Sequence, residues 1–435
     1  MPVSRLPGLH RLTLHERAER VAASAGLTAE EIDALAGGRG LSLEQADAMI
    51  ENVIGVYGLP LGVATNVVVN GRDHLVPMAV EEPSVVAGLS YAARLVRAGG
   101  GFSASTDEPQ MIGQIQVLDL ADPAAARLRL LAAREELLAL ADAQDPVLTG
   151  LGGGARDVEV RLLAESPAGP MLAVHLVYDT RDAMGANAVN TALEALAPAV
   201  ERISGGRVGL RILSNLADRR LARAWCRVPR AELALEGLAG DEGVGRIVEA
   251  YAFAAADPYR AATHNKGIMN GVDAVALATG NDWRALEAGA HAYASRDGRY
   301  RPLTTWERDA AGDLVGSIEL PMAAGTFGGA TRSHPLARLG LRILGVEGAR
   351  QLAEVLAAVG LGQNLAALRA LAMEGIQRGH MKLHARQVAM AAGASGALIE
   401  AVTARLIAEG TIRVDRAEAI LAELRADDEA RSGGK

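Results

Sequence analysis

Apolar and polar positions follow two rhythms along this chain, and the rhythm changes where Gly, Pro, Asn and Asp cluster. Residues 13–57 read as short helices. Thr28 with Glu31 has the form of a capping box, and Ser42 opens a second helix start. Residues 62–80 alternate around Val67, Val68 and Val69, with Asn70-Gly71 as the turn, which is a hairpin signal. Pro83-Ser84 then opens a helix from about Val85 to Ala98, stopped by Gly99-Gly100-Gly101.

The next stretch is the most legible. Gln110 to Leu120 reads as a strand. Asp122-Pro123 is an N-cap with proline at the first helical position, and the helix runs to about Ala143. Asp157 to Ala164 and Met171 to Tyr178 read as two strands, followed by a helix from about Met184 to Ile203 and a strand from Arg207 to Leu213. The order β-α-β-β-α-β is the split βαβ, or ferredoxin-like, pattern. It predicts a small inserted domain at 109–216 within a larger, mostly helical one made of 1–108 and 217–375. The fold class expected is α+β. Helices are expected at 215–227, 242–256, 282–295, 347–359 and 363–378. The remainder, 376–435, reads helix, turn, helix, helix, with breaks near Gly393–Gly396 and Gly410.

Composition narrows the class. The chain has 435 residues, 50% of them hydrophobic and 22% charged, so it has a core to bury and is neither disordered nor a coiled-coil rod. Aromatics are 3%, so the core is Leu, Val, Ile and Ala. The single cysteine, Cys226, forbids an intrachain disulfide and a cysteine metal cage. Acids outnumber bases 52 to 44, which disfavours nucleic acid as a partner. Met1 to Thr13 has Arg5 and Arg11 but no apolar core of a signal peptide. No apolar run reaches the roughly 18 residues of a membrane span. A soluble, cytoplasmic protein is expected.

Several segments carry candidate chemistry. There is no P-loop, and no GxGxxG follows a strand. Gly152-Gly153-Gly154 precedes a strand, so a flexible turn is the simpler reading. Asp179–Asn187 joins a strand to a helix. Asp182 is placed to cap that helix, and Ala183, Gly185 and Ala186 leave its first turn open to a pyrophosphate. An ordinary capped helix explains the same residues. Lys266, in Asn265-Lys266-Gly267, reads as a tight turn, and alone it is a solvated lysine. Glu81-Glu82-Pro83-Ser84 complements a helix dipole, and Asp282 reads as an N-cap. His380 and His384 have the spacing of a zinc helix. The intervening glutamate is missing and Lys382 lies between them, so no metal is expected. Gly379 beside His380 suggests a helix start at a hinge.

Taken together the segments point further. Met49–Gly55, Glu81–Ala87, Asp182–Asn187, His264–Ile268, Thr279–Asp282 and Gly379–Met381 occur in one chain and in this order. In identity and order they resemble 3-hydroxy-3-methylglutaryl-coenzyme A (HMG-CoA) reductase of class II, the bacterial form, from about Ser4 to about Ala422.

The resemblance implies interconversion of HMG-CoA with mevalonate plus CoA by two hydride transfers. It implies a catalytic set of Glu82, Lys266, Asp282 and His380. Lys266 stabilises the oxyanion, His380 protonates the departing thiolate, and Glu82, as a neutral acid, protonates the alkoxide. Asp282 couples Lys266 to Glu82. Substrate contacts map to Ser84, Arg260, Asn270, Asn215 and Gln363, with the Arg260 fork on the free carboxylate. Cofactor contacts map to Asp182, Ala183, Met184, Gly185 and Asn187. Asp145 is expected to meet the adenosine ribose and to repel a 2′-phosphate, favouring NAD(H), with Asp142 and Asp157 competing for that role. An arginine that holds the CoA phosphates in close members falls here at His10, beside Arg11. The resemblance further implies a homodimer or an oligomer of dimers with Glu51–Gly55 in its core. It also implies a C-terminal flap at 376–435 and mevalonate degradation as the direction. A biosynthetic NADPH enzyme and a non-catalytic CoA- or nucleotide-binding protein are the alternatives. An acyl-cysteine route has only Cys226, expected in a helix with no histidine beside it in sequence.

Overall fold

A computed structural model describes residues 4–38, 40–235, 237–374 and 376–432; the side chains of 330, 332, 374, 376–383 and 427–432 lie outside the described set. Among the described residues ten strands form two sheets. They are β1 (Leu61–Val69), β2 (Arg72–Ala79), β3 (Phe102–Thr106), β4 (Gln110–Leu118), β5 (Gly154–Leu163), β6 (Met171–Asp179), β7 (Arg207–Leu213), β8 (Leu221–Val228), β9 (Thr304–Arg308) and β10 (Leu314–Pro321). The larger sheet has the order β2-β1-β3-β8-β10-β9 and the smaller β5-β6-β4-β7.

Every pairing in the smaller sheet is antiparallel, and β6 is inserted between β5 and β4. This is the ferredoxin-like arrangement. Helices Pro123–Ala132, Arg134–Asp142 and Ala186–Ser204 cover one face. Leu130, Leu137, Val189 and Leu193 meet Ile115, Val117, Val174 and Leu176 in a separate core. The expected single helix to Ala143 is interrupted at Ala133.

The larger sheet packs against helices Val85–Ala98, Pro258–Ala278 and Ala349–Arg369. In the last of these Val355 to Val359 are five consecutive buried residues, so the helix is enclosed on all sides. The segment Ala349–Met373 is long and apolar enough to cross a membrane by composition, but 72% of its most apolar window is buried in the protein, as in a core helix. The two helices expected at 347–359 and 363–378 are one up to Arg369. Gly360 packs against Ile268 and Val272, and Gly362 against Leu89 and Phe102, so these glycines make room for neighbours and do not end the helix.

The helix expected at 215–227 is strand β8. Ala224, Cys226 and Val228 are buried while Trp225 and Arg227 are not, a period of two between β3 and β10. A π-helical turn, Ala370–Glu374, follows Arg369. Helices Ile376–Ala391, Ala397–Ala408 and Val414–Ser432 then close a small core of Ala385, Val388, Val402, Leu406 and Ile420.

Candidate active site

Lys266 stands within helix Pro258–Ala278 and not in the expected turn. Asp257 caps this helix by accepting from the Arg260 amide at 3.2 Å, and Pro258 occupies its first position. With the backbone fixed as helix, Lys266 and Asn270 share one face. Both reach the loop ahead of helix Val85–Ala98. Lys266 Nζ donates to Glu82 Oε2 at 2.6 Å, and Asn270 Nδ2 approaches the same oxygen at 3.5 Å. Ser84, in the left-handed region at φ 74°, begins that helix without a side-chain cap, leaving its hydroxyl unused there.

The residues around Lys266 are built in. His264 is buried and its pKa is pushed down to about 3 by burial, so it is neutral. Thr304 gives its proton to Asn364 Oδ1 at 3.0 Å. The 2.6 Å contact between His264 Nε2 and Thr304 Oγ1 is therefore donated by the imidazole. Asn265 ties the helix to the 301–303 loop through Arg301 O at 2.9 Å and the Leu303 amide at 3.0 Å. Arg260 is half-buried, and burial lowers its pKa. It forms no ion pair among the described residues, so its guanidinium is available to an anion. Gln363 is buried beside Gly88 and Gly271 with its Oε1 lacking a partner, and a buried carbonyl without a donor is costly. Asn215 is exposed, and its carbonyl accepts from the Ala217 amide.

Asp282 differs from expectation. It caps helix Trp283–Ala294 by accepting from the Arg284 and Ala285 amides at 3.1 and 3.2 Å, and it pairs with the Arg284 side chain at 3.1 Å. All three contacts fall on Oδ1, and among the described residues no contact joins Asp282 to Lys266 or Glu82, so the expected bridge is not made. Its neighbour Asn281 accepts from the Gly325 amide at 2.8 Å, a contact with no signal in the sequence.

Asp182 also departs from expectation. It does not cap helix Ala186–Ser204, which starts at Ala186 with Gly185 as its uncapped N-terminal residue. Its carboxylate instead accepts from the Ala349 amide at 2.8 Å and so caps the long core helix, 167 residues away in sequence. Gly185 has φ 100°, and a Cβ there would meet Thr180 at 2.2 Å, so glycine is required on both grounds. The first amides of helix Ala186–Ser204 thus have no side-chain acceptor, and this is the N-terminus that suits a pyrophosphate. Asn187 is exposed in its first turn, and Ala183 and Met184 are half-buried just ahead of it.

Asp145 is half-buried and caps a short helix through the Leu148 amide at 2.9 Å. Its two competitors are engaged: Asp142 accepts from the Ala155 amide at 2.7 Å, and Asp157 pairs with Arg134 at 2.6 Å. The Gly152 carbonyl beside them accepts from both Arg156 and Arg181. His380 and Gly379 fall within helix Ile376–Ala391 and do not start it. The side chains of His380 and Lys382 lie outside the described residues. Among the described residues no cluster of metal-ligating side chains is present. His10 and Arg11 are exposed in a short 3-10 turn. Ile50, Ile54, Val56 and Tyr57 are exposed around the Glu51–Gly55 segment. Cys226 is buried in β8, and burial pushes its thiol up to about 12, so no thiolate is available.

Comparison with known proteins agrees over most of the chain. The hydroxymethylglutaryl-coenzyme A reductase family model matches residues 13–385. The 3-hydroxy-3-methylglutaryl-coenzyme A reductase of Archaeoglobus fulgidus is 54% identical over 422 residues, 97% of this chain and 95% of that one. A probable enzyme of the same name from Borreliella burgdorferi is 36% identical over 345 residues, 78% of this chain and 77% of the other. A structure of the class II 3-hydroxy-3-methylglutaryl-CoA reductase from Streptococcus pneumoniae, bound to NADPH in open conformations, superposes with a TM-score of 0.80. It is 44% identical and covers 95% of this chain and 100% of its own. The chain therefore belongs to the class II hydroxymethylglutaryl-coenzyme A reductase family.

Proposed function

We propose that this reductase interconverts HMG-CoA with mevalonate and CoA at Glu82, Lys266, Asp282 and His380, with NAD(H) as the hydride carrier. The observation that carries the reading is the Lys266–Glu82 contact at 2.6 Å with Asn270 on the same oxygen. Nicotinamide, when bound, donates or accepts hydride; the other steps belong to the chain. As hydride reaches the thioester carbonyl, its oxygen becomes an oxyanion, and the Lys266 ammonium is placed to donate to it. The carbon–sulfur bond then breaks, and His380 gives the departing thiolate its proton. The second reduction makes an alkoxide, which takes a proton from Glu82 in its acid form. Arg260 holds the free carboxylate, with Ser84, Asn270, Asn215 and Gln363 around the substrate.

The cofactor reading rests on Gly185 and the uncapped helix start, with Asp182, Ala183, Met184 and Asn187 beside it. The Asp145 carboxylate, next to the Gly152–Gly154 loop, repels a 2′-phosphate and supports NAD(H). Arg156 and Arg181 at that loop support a second reading, NADPH in a biosynthetic enzyme, because two guanidiniums suit an extra phosphate. A division into 1–108 with 217–375, 109–216 and a 376–435 flap belongs to the same proposal. So do a cytoplasmic location, mevalonate degradation as the direction, and a homodimer closed over the exposed Ile50, Ile54 and Tyr57. The test is nicotinamide absorbance with HMG-CoA, or with mevalonate plus CoA, using each cofactor. No change with either cofactor rejects the reaction, and a higher kcat/KM with NADPH than with NADH rejects the NAD(H) assignment.

A further inference from the structure

We infer that Arg220, a buried cation outside the proposed catalytic set, is a positioning residue that holds the 180–185 segment in the shape that receives the dinucleotide. This rests on the reading of that segment as cofactor-binding. Arg220 is 5% exposed, and it forms no ion pair among the described residues. Its donors go elsewhere. Nη1 lies 3.0 Å from Thr180 Oγ1, 3.0 Å from Ala183 O and 3.4 Å from Met184 O, and Nη2 donates to Ala324 O at 2.6 Å.

A buried guanidinium is costly unless its N–H groups are satisfied, so this one has to gather acceptors. Three of the acceptors gathered here belong to the cofactor segment: the Thr180 hydroxyl and the Ala183 and Met184 carbonyls. Arg220 thus ties down the Ala183 and Met184 carbonyls immediately ahead of Gly185, whose left-handed φ of 100° leads into the uncapped helix start at Ala186. Thr180 strengthens the same turn: its hydroxyl lies 3.0 Å from Ala183 O, and its methyl occupies the space that a Cβ on Gly185 would need. Burial lowers the pKa of Arg220 to about 10, so the cation persists at neutral pH.

The other end of the fork fixes where that segment sits. Ala324 belongs to the loop after β10. In that loop the Thr326 amide donates to Asp182 O at 2.9 Å, and Gly325 lies so close that a Cβ there would be 2.6 Å from the Met184 amide nitrogen. The Gly325 amide donates to Asn281, the residue before Asp282. One guanidinium thus clamps the smaller sheet's loop to a strip that also touches the Asp282 turn. Lysine keeps the charge but cannot donate in two fixed directions.

The test compares Arg220→Lys and Thr180→Val with the unaltered enzyme. NADH affinity is measured by titrating nucleotide fluorescence, and KM is measured separately for the dinucleotide and for mevalonate. The expected result is dinucleotide affinity weakened about tenfold in Arg220→Lys, the size of a lost charge-assisted bond or two. A smaller shift of the same sign is expected in Thr180→Val, with the KM for mevalonate held within about twofold. Gly185→Leu is run beside them. If it leaves NADH binding unaltered, the reading of the segment itself is wrong. If it abolishes binding while Arg220→Lys and Thr180→Val bind as the unaltered enzyme does, the clamp is wrong and the segment reading stands. Equal rises in both KM values also overturn the clamp. Should Arg220→Lys fail to fold, the Thr180→Val titration decides alone.

Discussion

Lys266 and Glu82 form a direct ion pair at 2.6 Å although 184 residues separate them, and both side chains are substantially open to solvent, at 58% and 39%. An exposed pair of this kind adds little to stability, because water screens it and ordering two side chains offsets the gain. In the proposed mechanism its role is chemical. Lys266→Met and Glu82→Gln are each expected to lower kcat by about 10²–10³, the range for loss of a charge-stabilising donor or a general acid. The melting temperature should move by only a few degrees. Steady-state kinetics with thermal unfolding checks this, and a large loss of stability with little loss of kcat would contradict it.

Asp282 and Arg284 permit a sharper separation. The aspartate does two local things, capping its helix and pairing with Arg284. Removing the arginine deletes a surface ion pair, so Arg284→Ala is expected to change stability by under about 1 kcal/mol and leave kcat within a few-fold. Asp282→Asn keeps an oxygen for the cap and loses the charge; its kcat is expected to fall about 100-fold with stability nearly intact. Parallel behaviour of the two variants would show that Asp282 acts only through the ion pair.

Much of this was legible before the structure, and the rest fails for identifiable reasons. In the smaller sheet the strands read at Arg207–Leu213 and Met171–Tyr178 are found at Arg207–Leu213 and Met171–Asp179, with ends within a residue of expectation. Thr28 with Glu31 forms the capping box that its spacing suggests. Strand β8 was hidden because Leu221, Ala222 and Ala224 are good helix formers, and only pairing with β3 and β10 overrides that preference. Lys266-Gly267 looks like a turn, yet the helix continues through it, with Gly267 against Ala367. The partners of Asp182 and Arg220 lie 167 and up to 104 residues away, so no local pattern could announce them. The six motifs that carry the family resemblance name candidate site residues but not the engagement of Asp282 with Arg284.

His380 lies in helix Ile376–Ala391, beyond the π-helical turn that follows the core helix. If its work is to protonate the CoA thiolate, it is needed for thioester reduction and not for reduction of free mevaldehyde. His380→Ala is expected to retain most mevaldehyde reduction while thioester reduction falls by about 10²–10⁴, the range for a lost general acid. Equal losses in the two half-reactions, each followed by NADH absorbance, would contradict that role.

Stability should fall as pH rises through neutrality, because Asp273 is buried beside a second carboxylate. Burial, together with the hydrogen bond and negative charge of Glu287, raises the Asp273 pKa far above its ordinary 3.8, while Asp273 Oδ1 has no partner. Glu287 meets His291 at 2.6 Å, and the other ring nitrogen of His291 lies 2.7 Å from Tyr300. The signs differ between members. A raised carboxyl favours the fold fully below its unfolded value, and that contribution is lost as pH climbs towards the folded one. His291, raised mainly by its hydrogen bond to Glu287, acts in the same sense from its ordinary 6.5 upward. Glu287, lowered mainly by that same bond, is lost only in acid. Between about pH 5 and 8 the folded cluster therefore holds more protons than the unfolded chain, and each retained proton lowers stability by up to about 1.4 kcal/mol per pH unit. Asp273→Asn still offers Glu287 a donor but cannot ionise. It is expected to flatten the decline and raise the melting temperature most at pH 8. Melting curves across that range test this, and an unchanged slope in the variant would show that Asp273 does not carry the dependence.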